Sequence, residues 1–410
     1  MKFIFPKKTG INTNEKDIEN FLSRGVENIY PNKDFVKKTL LSGKKIKVYL
    51  GIDPTGPTLH IGHAIPLRKM KELQDLGHEI VLLIGDFTAM IGDPTDKSTT
   101  RKPLTRGEVL NNCKNYKKQL SRIISFSGNN PAKFVFNSKW LAKMNFSDVL
   151  DLTSRVTVDQ MLKRDMFEKR MSENKPLFIH EFMYPLMQGY DSVAMKVDGE
   201  IGGNDQTFNM LMGRELSREL INKEKFVLTT KLLVDADGKK MGKTEGNMIT
   251  LEDSPSNMFG KVMSWTDGMI MNGFELCTGV ENSKIEQFKK ELESGVNPKD
   301  IKMVLAKEIV NTFCGDVFGD KAEQDFINTF SKGGVPENIE EIKVLKDEKM
   351  ADVLLKAGTV ESKGEWRRLV LAGGVSNAET DEKITSPDEL VKNITLKVGK
   401  KRFVRLVVSN

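Results

Sequence analysis

From residue 46 to residue 84 the sequence runs through an apolar stretch, a Gly/Pro-rich break, an amphipathic stretch and a second apolar stretch. Few folds accommodate that order. Ile46-Lys47-Val48-Tyr49-Leu50-Gly51-Ile52 reads as a strand that meets Asp53-Pro54-Thr55-Gly56-Pro57, a cluster of breakers. A helix is expected from about Gly62, with Leu67, Met70, Leu73 and Leu76 along one side and Gly77 to end it. Ile80-Val81-Leu82-Leu83-Ile84 then reads as a buried strand running into Gly85-Asp86. Strand, helix and strand at this spacing form a βαβ unit, so an α/β fold with a Rossmann-type parallel sheet of the nucleotide-binding kind is expected.

The alternation continues to about Thr250, with Phe134-Val135-Phe136 as a further strand. Residues 1–42 read as a helical lead-in, with Ile18, Phe21, Leu22, Val26 and Ile29 at roughly helical spacing. The parallel-sheet domain is expected over 43–250 and a helical domain over 251–340, where Ile301, Leu305, Ile309 and Phe313 keep a helical period. The Gly/Pro/charge-rich passage from Gly333 to Lys349 reads as a linker, placed at 341–350, before a small α+β unit over 351–410.

At 410 residues a chain prefers two or three domains over one core. No run approaches the roughly 18 apolar residues of a membrane helix, and the N-terminus lacks a signal-peptide pattern, so a cytoplasmic protein is expected. Cys113, Cys277 and Cys314 show no CxxC spacing, which disfavours a disulfide frame or a structural zinc site. The net charge of +6 is mild, but Lys392, Lys397, Lys400, Lys401, Arg402 and Arg405 crowd the last twenty residues without an acid among them. Such an end suits a polyanionic partner.

Two of the four histidines fall in His60-Ile61-Gly62-His63, at the strand-to-helix turn. A helix N-terminus offers N–H groups and partial positive charge to phosphate, and two imidazoles there can donate to phosphate oxygens as charge builds up. Gly62 would let a flat base approach the backbone. A metal site would need a third ligand, and no nearby Cys or His supplies one. About 180 residues later, Lys239, Lys240 and Lys243 fall within the glycine-containing stretch Lys239-Lys240-Met241-Gly242-Lys243-Thr244, suited to clamping a pyrophosphate.

His60-Ile61-Gly62-His63 resembles the HIGH motif of class I aminoacyl-tRNA synthetases, and Lys240-Met241-Gly242-Lys243-Thr244 resembles their KMSKS motif in the variant that bacterial tyrosyl enzymes show. The resemblance implies MgATP as substrate, no permanently bound cofactor or protein-held metal, and no covalent enzyme intermediate. It gives His60, His63, Lys240, Lys243 and Thr244 catalytic roles. ATP contacts are implied for Gly51, Asp53, Thr55, Gly62, Gly203 and Asp205, besides His60, His63 and Lys243.

The amino acid is indicated by two further segments. Tyr49 lies on the first strand, and Tyr184, Gln188 and Asp191 fall at i, i+4 and i+7, one helical face. These look like the tyrosine-binding signatures of bacterial tyrosyl-tRNA synthetases. By that similarity Tyr49 and Asp191 bond the substrate hydroxyl, Tyr184, Gln188 and Asp93 hold its ammonium group, and Gln206 lies beside it; Asn137 is a weaker candidate. A pocket that bonds this hydroxyl rejects phenylalanine strongly, a rule for which the tyrosyl enzymes are the standard illustration. Lys97 and Arg101 read either as a basic loop near phosphate or tRNA or as a solvated loop.

The C-terminal unit looks like an S4-type RNA-binding domain, with Lys363, Arg367, Arg368, Lys400, Lys401 and Arg402 as tRNA contacts and Gly364 and Trp366 departing from its usual Ser and Ala. The helical domain stands where the family binds the anticodon. L-tyrosine, ATP, tRNA(Tyr) and a second copy in a homodimer are the implied partners. Tryptophanyl enzymes share both ATP motifs but not the S4 domain or the Tyr49/Asp191 pair.

Overall fold

A computed structural model describes residues 10–93, 103–234, 248–331, 340–399 and 402–409. They fall into two compact units, the first drawn from Met1–Asp253 and Lys261–Cys314, the second from Ser254–Gly260 and Gly315–Asn410.

The first unit is built on a six-stranded sheet of β1 (Val26–Tyr30), β2 (Lys47–Ile52), β3 (Glu79–Ile84), β4 (Lys133–Phe136), β5 (Gly199–Gly203) and β6 (Phe226–Thr230). Its strand order is β1-β6-β5-β2-β3-β4. All neighbours pair in parallel except β1, which runs antiparallel to β6. From β2 the chain winds outward through β3 and β4, then returns to the other side of β2 with β5. The junction of β2 and β5 is therefore the switch point where α/β sheets open a crevice. Pairing there is brief. β2 meets β3 along its whole length, Lys47 to Ile52, but meets β5 only at Val48↔Gly199 and Tyr49↔Glu200. Beyond Tyr49 and Glu200 the two strands part.

Three helices carry the site: α1 (Ile61–Asp75), α2 (Ile179–Met195) and α3 (Thr207–Ile221). α1 buries Leu67, Met70 and Leu73, and it ends near Gly77, whose φ of +97° only glycine adopts at ease. α2 and α3 pack closely, since a Cβ on Gly189 would come within 2.9 Å of Leu216 and 3.2 Å of the Gly213 nitrogen.

The N-terminal lead-in differs from the helix expected. Helix Glu15–Ser23 stops at Gly25, with φ +64°, and Val26 and Ile29 lie in β1 instead. Their spacing satisfies a helix as well as a short strand, and the deciding partner, β6, is some two hundred residues away.

The stretch from Ser254 is helical through 331, as expected, but it is shared between the units. Helices Ile270–Cys277, Asn282–Glu293 and Pro298–Cys314 belong with the first. In the second, helix Phe318–Ser331 packs on the segment at 254–260 through Phe259 and Phe326 (ring centroids 5.3 Å apart) and Ser256 to Asp325 (2.9 Å).

The passage read as a linker holds a strand, β7 (Glu340–Leu345), the edge of a second sheet with β8 (Val375–Asn377), β9 (Ile394–Val398) and β10 (Arg402–Ser409) in the order β7-β10-β9-β8. β7 pairs in parallel with β10, over sixty residues later, which local composition cannot reveal. Trp366 anchors this small core: it is 1% exposed and its Nε1 donates to the Pro387 carbonyl at 2.8 Å.

Candidate functional site

The parting of β2 and β5 opens a cavity of about 810 Å³ in the first unit. Its lining includes Tyr49, Gly51, Asp53 and Thr55 from the end of β2, His60, Gly62 and His63 from the start of α1, and Asp93 and Asn137. Tyr184, Gln188 and Asp191 enter from one face of α2, with Gly203, Asp205 and Gln206 after β5. Residues scattered over more than 150 positions thus share one chamber. It suits a nucleotide beside a small amino acid in size.

The two histidines are held by the helix start they belong to. His60 caps α1: its Nδ1 accepts the Gly62 N–H at 3.2 Å, and the His63 Nδ1 accepts the His60 N–H at 3.2 Å. Accepting at Nδ1 places the proton of each neutral ring on Nε2, so both rings present donors. Gly62 suits this turn, because a Cβ there would press against the His60 ring at 3.0 Å.

The break between β2 and α1 has few regular backbone partners, and a helical pair takes them over. Asn112 donates to the Pro54 carbonyl (2.9 Å), Tyr116 to that of Gly56 (2.6 Å) and Gln119 to that of Pro57 (2.9 Å). Gln119 also accepts the Leu59 N–H at 2.7 Å. These three residues went unnoticed in the sequence. Their i, i+4, i+7 spacing was the available signal.

Lys240, Lys243 and Thr244 lie outside the described residues, as do Lys97 and Arg101. Leu233 and Met248, on either side of the lysine motif in sequence, both line the cavity. Ile249 and Leu251 clasp the histidine turn, with Ile61 N–H to Ile249 O at 2.9 Å and Leu251 N–H to Leu59 O at 2.8 Å.

At the inner end Tyr49 is fully buried, and burial raises its hydroxyl pKa far above the ordinary phenol, so it stays protonated. Asp191 is 2% exposed, and burial pushes its pKa well above the usual carboxylate range. Its oxygens nonetheless accept from Trp140 Nε1 (2.7 Å) and Asn137 Nδ2 (3.2 Å), bonds that favour the carboxylate. Asn137 is fixed in turn by the Phe87 N–H (2.9 Å) and Thr88 (3.1 Å). Tyr49 bonds Ser192 at 3.0 Å, with Lys225 and Glu200 behind it.

Midway, acceptors gather. The Tyr184 hydroxyl donates to Asp53 at 3.0 Å, and Asp53 also accepts from Thr88 at 2.7 Å. Gln188 donates to Glu200 at 3.3 Å. Asp93 accepts from Gln206 at 2.7 Å and from the buried Arg164 at 3.1 Å. This is an environment for a cation such as an ammonium group. Trp140, Arg164, Ser192, Glu200 and Lys225 were all missed in the sequence. Glu200 and Lys225 had a signal, a charge inside or abutting an otherwise apolar strand.

In the second unit, Arg367 and Arg368 are exposed on the helix Lys363–Leu371, where Lys363 pairs with Asp352. Arg402 is engaged internally, with Glu365 at 2.7 Å and the Thr359 carbonyl at 2.6 Å. Lys400 and Lys401 lie outside the described residues.

A parallel sheet with a histidine-bearing helix start at its switch point defines a class, and the comparisons agree: a family model for class I tRNA synthetases (W and Y) matches residues 41–331, and the chain belongs to that family. Its curated relatives narrow the group. A tyrosine–tRNA ligase of Haemophilus ducreyi is 43% identical over 94% of this chain and 97% of its own length. One from Carboxydothermus hydrogenoformans is 44% identical over 94% and 96%. Among solved structures, a C-terminally truncated mitochondrial tyrosyl-tRNA synthetase of Coccidioides posadasii superposes with a TM-score of 0.62 at 25% identity, covering 76% of this chain and 94% of its own. The Archaeoglobus fulgidus tyrosyl-tRNA synthetase, complexed with L-tyrosine, shares the fold at 22% identity, with a TM-score of 0.59 over 76% of this chain and 100% of its own.

Proposed function

We propose that this chain is a tyrosine–tRNA ligase, activating L-tyrosine with ATP to tyrosyl-adenylate and pyrophosphate and then passing the tyrosyl group to the 3′-terminal ribose of tRNA(Tyr). The observation that carries this reading is the pairing, in one cavity, of a buried phenol and carboxylate, Tyr49 and Asp191, with the histidine turn at its nucleotide end.

In this reading the tyrosine side chain enters towards Tyr49 and Asp191, and its ammonium group lies among Tyr184, Gln188, Asp93 and Gln206. The carboxylate attacks the α-phosphate of ATP in line, and the pyrophosphate leaves. His60 and His63 donate from Nε2 to the phosphate oxygens, which carry most charge in the transition state. Gly51, Asp53, Thr55 and Gly62 flank the nucleotide, while Gly203 and Asp205 meet its ribose. Lys240, Lys243 and Thr244 close on the β- and γ-phosphates.

Mg²⁺ arrives as MgATP, held by the phosphates; among the described residues no group of three or more His, Cys, Asp or Glu is placed to hold a metal ion. The helical domain at 251–340 meets the anticodon. The C-terminal sheet unit, with Lys363, Arg367, Arg368, Lys400, Lys401 and Arg402, binds tRNA phosphates in a salt-sensitive way. The enzyme works in the cytoplasm as a homodimer. Among the described residues no helix is long and apolar enough to cross a membrane.

Exchange of labelled pyrophosphate into ATP tests this directly across the twenty amino acids. Only tyrosine should drive it. Equal exchange with tryptophan or phenylalanine overturns the assignment.

A further inference from the structure

Lys225 immediately precedes β6, fully buried behind the inner end of the cavity. An ammonium group has three hydrogens and no acceptor. All three have partners here: Glu200 Oε2, the Met210 carbonyl at 3.2 Å, and Ser192 Oγ at 2.9 Å. The Ser192 oxygen must therefore accept from Lys225. Ser192 also lies 3.0 Å from the Tyr49 hydroxyl, and distance alone allows either oxygen to be the donor.

The other end of the site resolves the ambiguity. Burial favours the neutral acid at Asp191, but Trp140 and Asn137 donate one to each of its oxygens and favour the carboxylate, the form in which it is an acceptor. A ligand phenol has one proton, and it goes to Asp191. Tyr49 must then donate to the ligand oxygen, and its own oxygen must accept from Ser192. We propose that Lys225 and Ser192 are positioning residues that fix the direction of one hydrogen-bond chain, from the Lys225 ammonium through Ser192 and Tyr49 to the ligand hydroxyl and on to Asp191. This rests on the tyrosine reading given above.

With an ammonium at one end and a carboxylate at the other, the chain is biased to run in that one direction. A ligand without a hydroxyl leaves the Tyr49 proton aimed into the pocket with no acceptor, and it leaves Asp191 short of a donor. Both are buried, where an unmet polar group is expensive. Lys225 takes up one of the two lone pairs of the Ser192 oxygen and leaves its proton free to point at Tyr49; without the ammonium, Ser192 accepts more readily from Tyr49. That proton turns away from the ligand, and phenylalanine meets less opposition.

The decisive measurement is pyrophosphate exchange with tyrosine and with phenylalanine in the Lys225→Met/Glu200→Gln double variant, in which no buried charge is left alone. Its kcat/KM for phenylalanine should rise, on the order of tenfold, as an unmet donor is relieved. A merely structural role for Lys225 gives no such gain. Ser192→Ala should lower kcat/KM for tyrosine severalfold without a matching loss for phenylalanine, because Tyr49 loses the donor that orients its proton towards the ligand; Ser192→Thr should restore tyrosine.

A folded double variant with unchanged or lower phenylalanine activity overturns the proposal. Should the double variant not fold, equal losses for both amino acids in Ser192→Ala overturn it instead. Wild-type protein that shows no tyrosine-dependent exchange would refute the assigned activity itself, a result distinct from either.

Discussion

Asp191 and His78 show opposite uses of burial. Asp191 is buried with two donors on its oxygens, and in the proposed reading a ligand hydroxyl completes it. Replacing it with Ala removes a charged acceptor worth about 1.5–3 kcal/mol, so the tyrosine-to-phenylalanine ratio of kcat/KM should fall by roughly ten- to a hundredfold. An unchanged ratio in exchange kinetics would contradict its role. His78 serves no ligand. Its side chain is buried beneath the start of β2, its Nε2 meets no hydrogen-bond partner among the described residues, and burial, with Lys45 adding to it, lowers its pKa from 6.5 to about 4. Between those values the unfolded chain takes up a proton that the folded chain refuses. Stability contributed above pH 6.5 is therefore lost progressively as the pH falls towards 4. Urea denaturation at pH 7 and pH 5 should show the decline, and His78→Gln should flatten it.

At the scale of elements, Arg24 does what no residue of the helix Ile270–Cys277 can do for itself. Its guanidinium donates to the carbonyls of Phe274 (3.0 Å), Glu275 (3.0 Å) and Thr278 (2.8 Å), and to that of Val280. These are the orphan acceptors of a helix end and the loop after it, and a cation there also suits the helix dipole. Arg68, on α1, donates to Thr278 as well. Arg24→Ala should destabilise the protein by about 2–4 kcal/mol in denaturant melts, from several lost charge-assisted bonds at a half-buried site. Arg24→Lys should recover less than half of that, since an ammonium lacks the planar fork that reaches several carbonyls at once.

At the scale of the molecule, β7 decides where the chain can be cut. Deletion after Lys349 would remove β10 and strand β7 without its parallel partner, leaving an exposed edge. A cut after Ser331 removes the four-stranded sheet whole and keeps the contacts of Phe326 and Asp325 with the segment at 254–260. The shortened protein should retain tyrosine-dependent pyrophosphate exchange while losing most tRNA charging, with the full-length enzyme showing the steeper salt dependence of charging. Equal loss of both reactions would show that adenylate formation depends on the C-terminal unit.

The sequence alone determined the βαβ core, because apolar runs of strand length, separated by breakers and a helical period, bury themselves in only a few ways. It also marked the cavity-lining residues that sit in compact motifs: His60 and His63 at one turn, and Tyr184, Gln188 and Asp191 at helical spacing. What only the tertiary structure decided was every partnership between distant segments. β1 and β7 are strands because β6 and β10 lie beside them; locally, Val26 and Ile29 suit a helix equally well. The supports of the site, Asn112, Tyr116 and Gln119 under the histidine turn, and Trp140, Ser192, Glu200 and Lys225 around the phenol, have no local signature strong enough to name them. A hydrogen bond's meaning depends on what stands at its far end, and the fold alone fixes that.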